Sequence, residues 1–220
     1  MASITRKTIR PHGLSYLGSA NVVRVKVIES DEYCLSFFAH TAWPIMVSNK
    51  PIIASHSSVY NICPHFRNLK DDQLYAIKEN GGVVFINFYP TYIDSTFAGK
   101  EKNMKELNKP LIDSLSAIYG KNIDAGWYKV SEELNPYYQS IVPTLKDVVD
   151  HIDYVKNLIG INHVGIGADW DGVEVLPKNI EHIGKLPSLT KELIDRGYSK
   201  TEIKKVLGEN FKRVFREVSQ

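Results

Sequence analysis

Three apolar runs in this chain break off into polar clusters, and the breaks are more informative than the runs. Pro51-Ile52-Ile53-Ala54 leads into Ser55-His56-Ser57-Ser58. Val83-Val84-Phe85-Ile86-Asn87-Phe88 leads into Tyr89-Pro90-Thr91-Tyr92. His163-Val164-Gly165-Ile166-Gly167-Ala168 leads into Asp169-Trp170-Asp171-Gly172. None of the runs alternates, so each predicts a strand covered on both faces, as in a parallel sheet or barrel.

Helical patterning fills the intervals. Asp71-Asp72 is expected to cap a helix with Leu74 and Ile77 on one face and Gly81-Gly82 as its stop. Thr144 opens a longer helix carrying Leu145, Val148, Val149, Ile152, Val155 and Leu158, ending at Gly160. Ser188 opens another with Leu189, Leu193 and Ile194, ending at Gly197. Ser199 and Glu202 form a capping-box pair ahead of Ile203, Val206 and Leu207, with Gly208 behind. Between Phe97 and Pro143 the periodicity weakens. That stretch reads as an excursion from the scaffold, with one helix near Asn103 to Leu115 and with Tyr137-Tyr138 packed inside. Strand and helix alternate, so the fold class is α/β.

With 220 residues, 43% of them hydrophobic, there is enough chain for one sizeable core. A formal charge of +2 with scattered basic residues gives no reason to expect nucleic acid or an anionic membrane as a partner. Residues 1–13 hold no apolar core resembling a secretory signal, and no apolar run approaches a membrane span. Two cysteines, Cys34 and Cys63, are expected to stay reduced, which suits a cytoplasmic location.

The candidate chemistry gathers at the strand exits, where α/β enzymes place their sites. His56 offers an imidazole, and Asp169 and Asp171 offer carboxylates; together these suit zinc or a similar divalent ion. Arg67, in the loop after His56, suits capture of a substrate carboxylate. Tyr92 can donate to a developing oxyanion. The set describes hydrolysis of a small acidic substrate such as a dipeptide. Each residue also has a structural reading: Arg67 could cap a helix or pair with Asp71 or Asp72, Asp-Trp-Asp-Gly is a good turn, and Tyr92 could anchor a loop. His65 and His163 read as structural, and His12, His151 and His182 have no partner nearby in sequence.

The same segments carry a resemblance. Pro51 through Ser57, Cys63 through Asn68 with Asp71-Asp72, Asn87-Phe88-Tyr89 with Tyr92, His163 through Gly172, and the tail Gly208-Glu209-Asn210-Phe211-Lys212-Arg213-Val214-Phe215 look like the membrane (renal-type) dipeptidase family, peptidase family M19. The resemblance implies a (β/α)8, TIM-type barrel related to the amidohydrolases, and a two-zinc site whose bridged water attacks a dipeptide. It further implies that His56 is a zinc ligand, that Arg67 holds the substrate's terminal carboxylate, that Tyr92 contacts substrate, and that Asp169 lies near the reacting water and the substrate amine.

The resemblance is incomplete. The family's early His-x-Asp ligand pair and bridging glutamate have no counterpart here. Likeness begins at His12-Gly13-Leu14-Ser15, continues through Gly18 and Asn21 to Arg24, and then lapses. Another zinc-binding histidine would fall at Leu35 or Ser36, and His40 is not in register with it. The expected organisation is therefore a divergent segment 1–49 followed by the C-terminal part of a dipeptidase-type barrel, 50–220. Three readings stay open. One is a truncated dipeptidase whose missing ligands come from an N-terminal partner chain; an exposed half-barrel edge also makes a homo-oligomer an expected assembly. The others are a non-catalytic remnant and a carboxylate-binding module that retains Arg67 and Tyr92.

Overall fold

In the computed structural model the described residues are 48–119, 123–170, 172–173 and 175–219. The readings made for residues 1–47 and for Asp171 lie outside them. Three parallel strands form one sheet, β1 (Ile53–Ala54), β2 (Val83–Ile86) and β3 (Val164–Ile166), in the order β1-β2-β3. Ile53 pairs with Val83, and Phe85 pairs with Gly165. The strands are shorter than the apolar runs that predict them. His163 falls in a 3-10 turn, Ile161–His163, just ahead of β3. Past the strand ends the ladder continues as single bonds: Ser57 N–H to Phe85 O at 2.9 Å, and Gly167 N–H to Ile86 O at 3.0 Å. These bonds bring the three exits level.

Both sheet faces are covered, which explains why the runs do not alternate. Ile52, Ala54, Val84, Ile86 and Val164 pack into the main core. They meet α1 (Asp71–Glu79) and, further along the chain, the helix Leu145–Ile159. Val83 and Phe85 face the other way, onto Val214 and Val218 of the last helix.

The cap of the helix Asp71–Glu79 lies one residue earlier than expected. Lys70 is the N-cap, and the Gln73 side chain accepts from its N–H at 2.9 Å. Asp71 lies in the first turn, where a carboxylate suits the helix dipole. That carboxylate accepts from Asn61 and from the Tyr154 hydroxyl. A short helix, α2 (Pro90–Ile93), follows β2.

Among the described residues the weakly periodic stretch holds three helices, α3 (Phe97–Leu107), α4 (Lys109–Tyr119) and α5 (Ile123–Ile141), where one was expected. They share a small core of Phe97, Met104, Leu134, Tyr138, Val142 and Val175. A proline inside α5, Pro136, conceals that helix in the sequence. Of the tyrosine pair only Tyr138 is buried. Tyr137 is 47% exposed, because neighbouring helical residues point about 100° apart.

Next, α6 (Leu145–Ile159) begins at Thr144 with Asp147 closing the capping box, and ends at Gly160 with φ 100°. Then α7 (Leu186–Asp195) starts two residues before the expected Ser188, since Pro187 is preset for a first turn. The Ser199–Glu202 box opens α8 (Lys200–Lys204). Gly208 turns rather than stops the chain. With φ 153° it kinks the helix, and α9 (Asn210–Val218) continues beyond it. The α/β class and the incomplete barrel-type architecture expected from the sequence are those observed, with β1 and β3 as the sheet edges among the described residues. No helix among the described residues is long and apolar enough to cross a membrane.

Candidate active site at the strand exits

His56 leaves β1 with both ring nitrogens engaged. Nδ1 lies 2.7 Å from the Ser55 hydroxyl, and Nε2 lies 3.3 Å from the Arg67 guanidinium. A guanidinium only donates. Nε2 is therefore the acceptor, and Nδ1 carries the hydrogen and donates to Ser55. Burial is the largest influence on this imidazole and lowers its pKa; the Asp169 charge raises it and the Arg67 charge lowers it further. The ring is thus held neutral between a carboxylate and a guanidinium.

Arg67 stands on the loop between β1 and α1, and that loop is fixed by backbone. Tyr60 N–H donates to Leu69 O at 2.8 Å, and Leu69 N–H donates to Ser58 O at 2.9 Å. Asn68, buried at the loop's centre, accepts from Ser58 N–H and donates to Cys63 O and Tyr92 O. Its last bond ties the Arg67 loop to the exit of β2. The guanidinium lies over the Tyr92 ring, 5.6 Å from its centroid. That ring packs on His65 at 4.6 Å and edge-on to Tyr89 at 5.0 Å.

Asp169 ends the exit of β3 in a left-handed conformation, φ 60°, with its carbonyl accepting from Gly172 N–H at 3.0 Å. A Cβ on Gly172 would lie 2.3 Å from Asp169 Oδ1, so a side chain there would push the Asp169 carboxylate aside. Trp170 fastens the turn by donating to Ile180 O and meeting Phe88 edge-on. Asn87, at the exit of β2, accepts from Tyr89 N–H through Oδ1. Its Nδ2 is buried with no protein partner among the described residues.

The structure therefore links His56, Arg67 and Tyr92 in one chain of contacts, with Asp169 near enough for its charge to act on His56. Two histidines that sequence reasoning set aside support this group. His151, fully buried, accepts from Val59 N–H at 3.0 Å and donates to Ile93 O at 3.2 Å, joining the exits of β1 and β2. Its signal was available: it falls on the apolar stripe of α6, between Val148 and Val155. His65 accepts from Arg67 N–H at 3.1 Å. His163, expected to be structural, donates to Gly82 O at 2.8 Å at the other end of the sheet. Cys63 is a buried free thiol, pushed up to about 11 by burial and by Asp94, and hence no nucleophile.

The donor set falls short of what zinc needs. Among the described residues no three His, Cys, Asp or Glu side chains converge on a point where a metal could sit. A catalytic zinc takes three protein ligands. His56 and Asp169 alone do not meet that requirement, and the His56 lone pair is directed at Arg67.

The sequence profile of the membrane dipeptidase family (peptidase family M19) matches residues 37–220. The chain belongs to that family. It is 37% identical over 172 residues to the dipeptidase aclJ of Aspergillus oryzae, which covers 78% of this chain and 31% of that protein. The fold resembles the crystal structure of the probable dipeptidase PvdM from Pseudomonas aeruginosa, with a TM-score of 0.60 and 28% identity over 80% of this chain and 46% of that one. It also resembles a metallo peptidase from Rhodobacter sphaeroides, solved with a phosphinate mimic of the dipeptide L-Ala-D-Ala. There the TM-score is 0.56 at 22% identity, over 79% of this chain and 38% of that one, a likeness of fold. The chain thus spans less than half the length of these relatives.

Proposed function

We propose that this chain acts on dipeptides as a zinc-dependent hydrolase of the family's kind, gripping the substrate at its strand exits. In this reading Arg67 holds the terminal carboxylate, Tyr92 flanks it, His56 offers an imidazole lone pair to zinc, and Asp169 serves the reacting water and the substrate amine. The observation that carries the reading is the chain of contacts from His56 to Arg67 to Tyr92, under the influence of Asp169. A fixed guanidinium is the group best shaped to take a carboxylate in two parallel hydrogen bonds. Bound zinc would polarise the peptide carbonyl and activate water. Its remaining ligands must come from outside the described residues. A partner chain resembling the family's N-terminal part would serve. We take residues 50–220 as the dipeptidase-type part and expect little turnover from the chain alone.

The test is hydrolysis of L-Ala-L-Ala and zinc content, for the chain alone and co-expressed with the N-terminal part of a family dipeptidase. Turnover that appears on co-expression and is lost in Arg67→Ala supports the proposal. Turnover indifferent to Arg67→Ala overturns the site assignment, and vigorous hydrolysis by the isolated chain overturns the ligand count.

A second reading, a carboxylate-binding module without chemistry, is favoured by one contact: Arg67 donates into the lone pair that a metal would use. It predicts that L-Ala-L-Ala raises the melting temperature without being cleaved.

A further inference from the structure

We infer that His65 is a positioning residue for the carboxylate end of the site, setting Arg67 and Tyr92 at once. The inference rests on the substrate-carboxylate reading above and adds the group that gives that site its shape. His65 is half-buried and touches both residues. Its Nδ1 accepts the backbone N–H of Arg67 at 3.1 Å, so the imidazole closes a ring across residue 66 and orients the Arg67 backbone. The face of the same ring packs on Tyr92, with centroids 4.6 Å apart and planes 39° apart. The opposite end of the arrangement closes through the Arg67 guanidinium over Tyr92. The residue is itself held, its N–H donating to Cys63 O at 2.7 Å and its carbonyl accepting from Asn68 N–H at 2.9 Å.

Such geometry separates two contributions. An acceptor at the side chain of residue i that takes the N–H of residue i+2 is the Asx-turn arrangement, which asparagine reproduces. The ring contact with Tyr92 is aromatic, and phenylalanine reproduces it. Neither substitute supplies both. A guanidinium kept over a tyrosine face is restricted to directions from which it presents its fork to a carboxylate. Loss of either support widens its range and weakens carboxylate binding selectively.

The test compares binding of L-Ala-L-Ala with binding of its C-terminal amide by calorimetry, in wild type and in His65→Ala, His65→Asn, His65→Phe and Arg67→Ala. Thermal melts of each variant establish folding. The wild type should prefer the acid, and Arg67→Ala should abolish the preference. His65→Ala should reduce it about tenfold, with His65→Asn and His65→Phe each intermediate. A purely structural histidine would lower the melting temperature and leave the acid-to-amide ratio alone. If His65→Ala fails to fold, the Asn and Phe variants decide. An unchanged ratio in the folded His65 variants, with Arg67→Ala still abolishing it, overturns the role of His65 and leaves the carboxylate site standing. No acid preference in the wild type overturns both.

Discussion

The Arg67 guanidinium donates to Nε2 of His56 across 3.3 Å, so the two residues expected to serve substrate and metal are hydrogen-bonded to each other. The bond settles the His56 tautomer and makes its protonation a report on the site. In chelator-treated protein, Arg67→Ala should raise the His56 pKa, because a positive neighbour is removed. Asp169→Asn should lower it, because the carboxylate that favours imidazolium is removed. NMR titration of the ring would check both directions. A His56 pKa that moves the same way in the two variants would contradict the arrangement.

Acid should destabilise the fold through His151. Burial, the largest cause, lowers its pKa from 6.5 to about 4, so the folded state keeps it neutral. Between those values the unfolded chain binds the extra proton. Stability is full above about pH 6.5 and is lost as pH falls through that window, by on the order of 3 kcal/mol. His56 and His163 are lowered too and act with the same sign. Urea unfolding at pH 7 and pH 4.5 would measure the loss. His151→Gln should be less stable at pH 7 and show a flatter pH slope.

Gly167→Ala should be among the most damaging single changes in the chain. A Cβ there would lie 2.1 Å from Ser55 O and 2.8 Å from Phe85 Cβ, with backbone on one side and a packed aromatic on the other. Strands β1 and β3 would have to part where the exits align. A loss of about 3 kcal/mol is expected, read from the denaturation midpoint.

Gly172→Ala should do the reverse, sparing stability and disturbing the site. The atoms nearest the new methyl would be those of the Asp169 carboxylate, an end that can swing away. The melting temperature should stay within about 2 °C of wild type. The His56 ring signals should shift, since the carboxylate that acts on them has moved. Unchanged His56 signals would show that Asp169 tolerates the methyl in place.

Much of this architecture was legible before any coordinates. The strand runs, the Thr144 and Ser199 caps and the place of His56, Arg67, Tyr92 and Asp169 beside the strand exits could be read from local pattern and motif. What escaped was of two kinds. Helices α3 to α5 were read as a single helix because Pro136 and a polar surface mask their periodicity. The roles of His65 and His151 escaped because their partners are remote or unexpected: Val59, which donates to His151, lies 92 positions away.

By itself the sequence determined which residues stand at the strand exits, because apolar run length and capping chemistry act over a few residues. Tertiary structure alone decided that Arg67 turns onto His56 and Tyr92, that His151 joins two exits, and that Asp169 reaches His56 with its charge. Those outcomes depend on the parallel register of three strands far apart in the chain, and that register is set by packing both sheet faces at once, which no local pattern encodes.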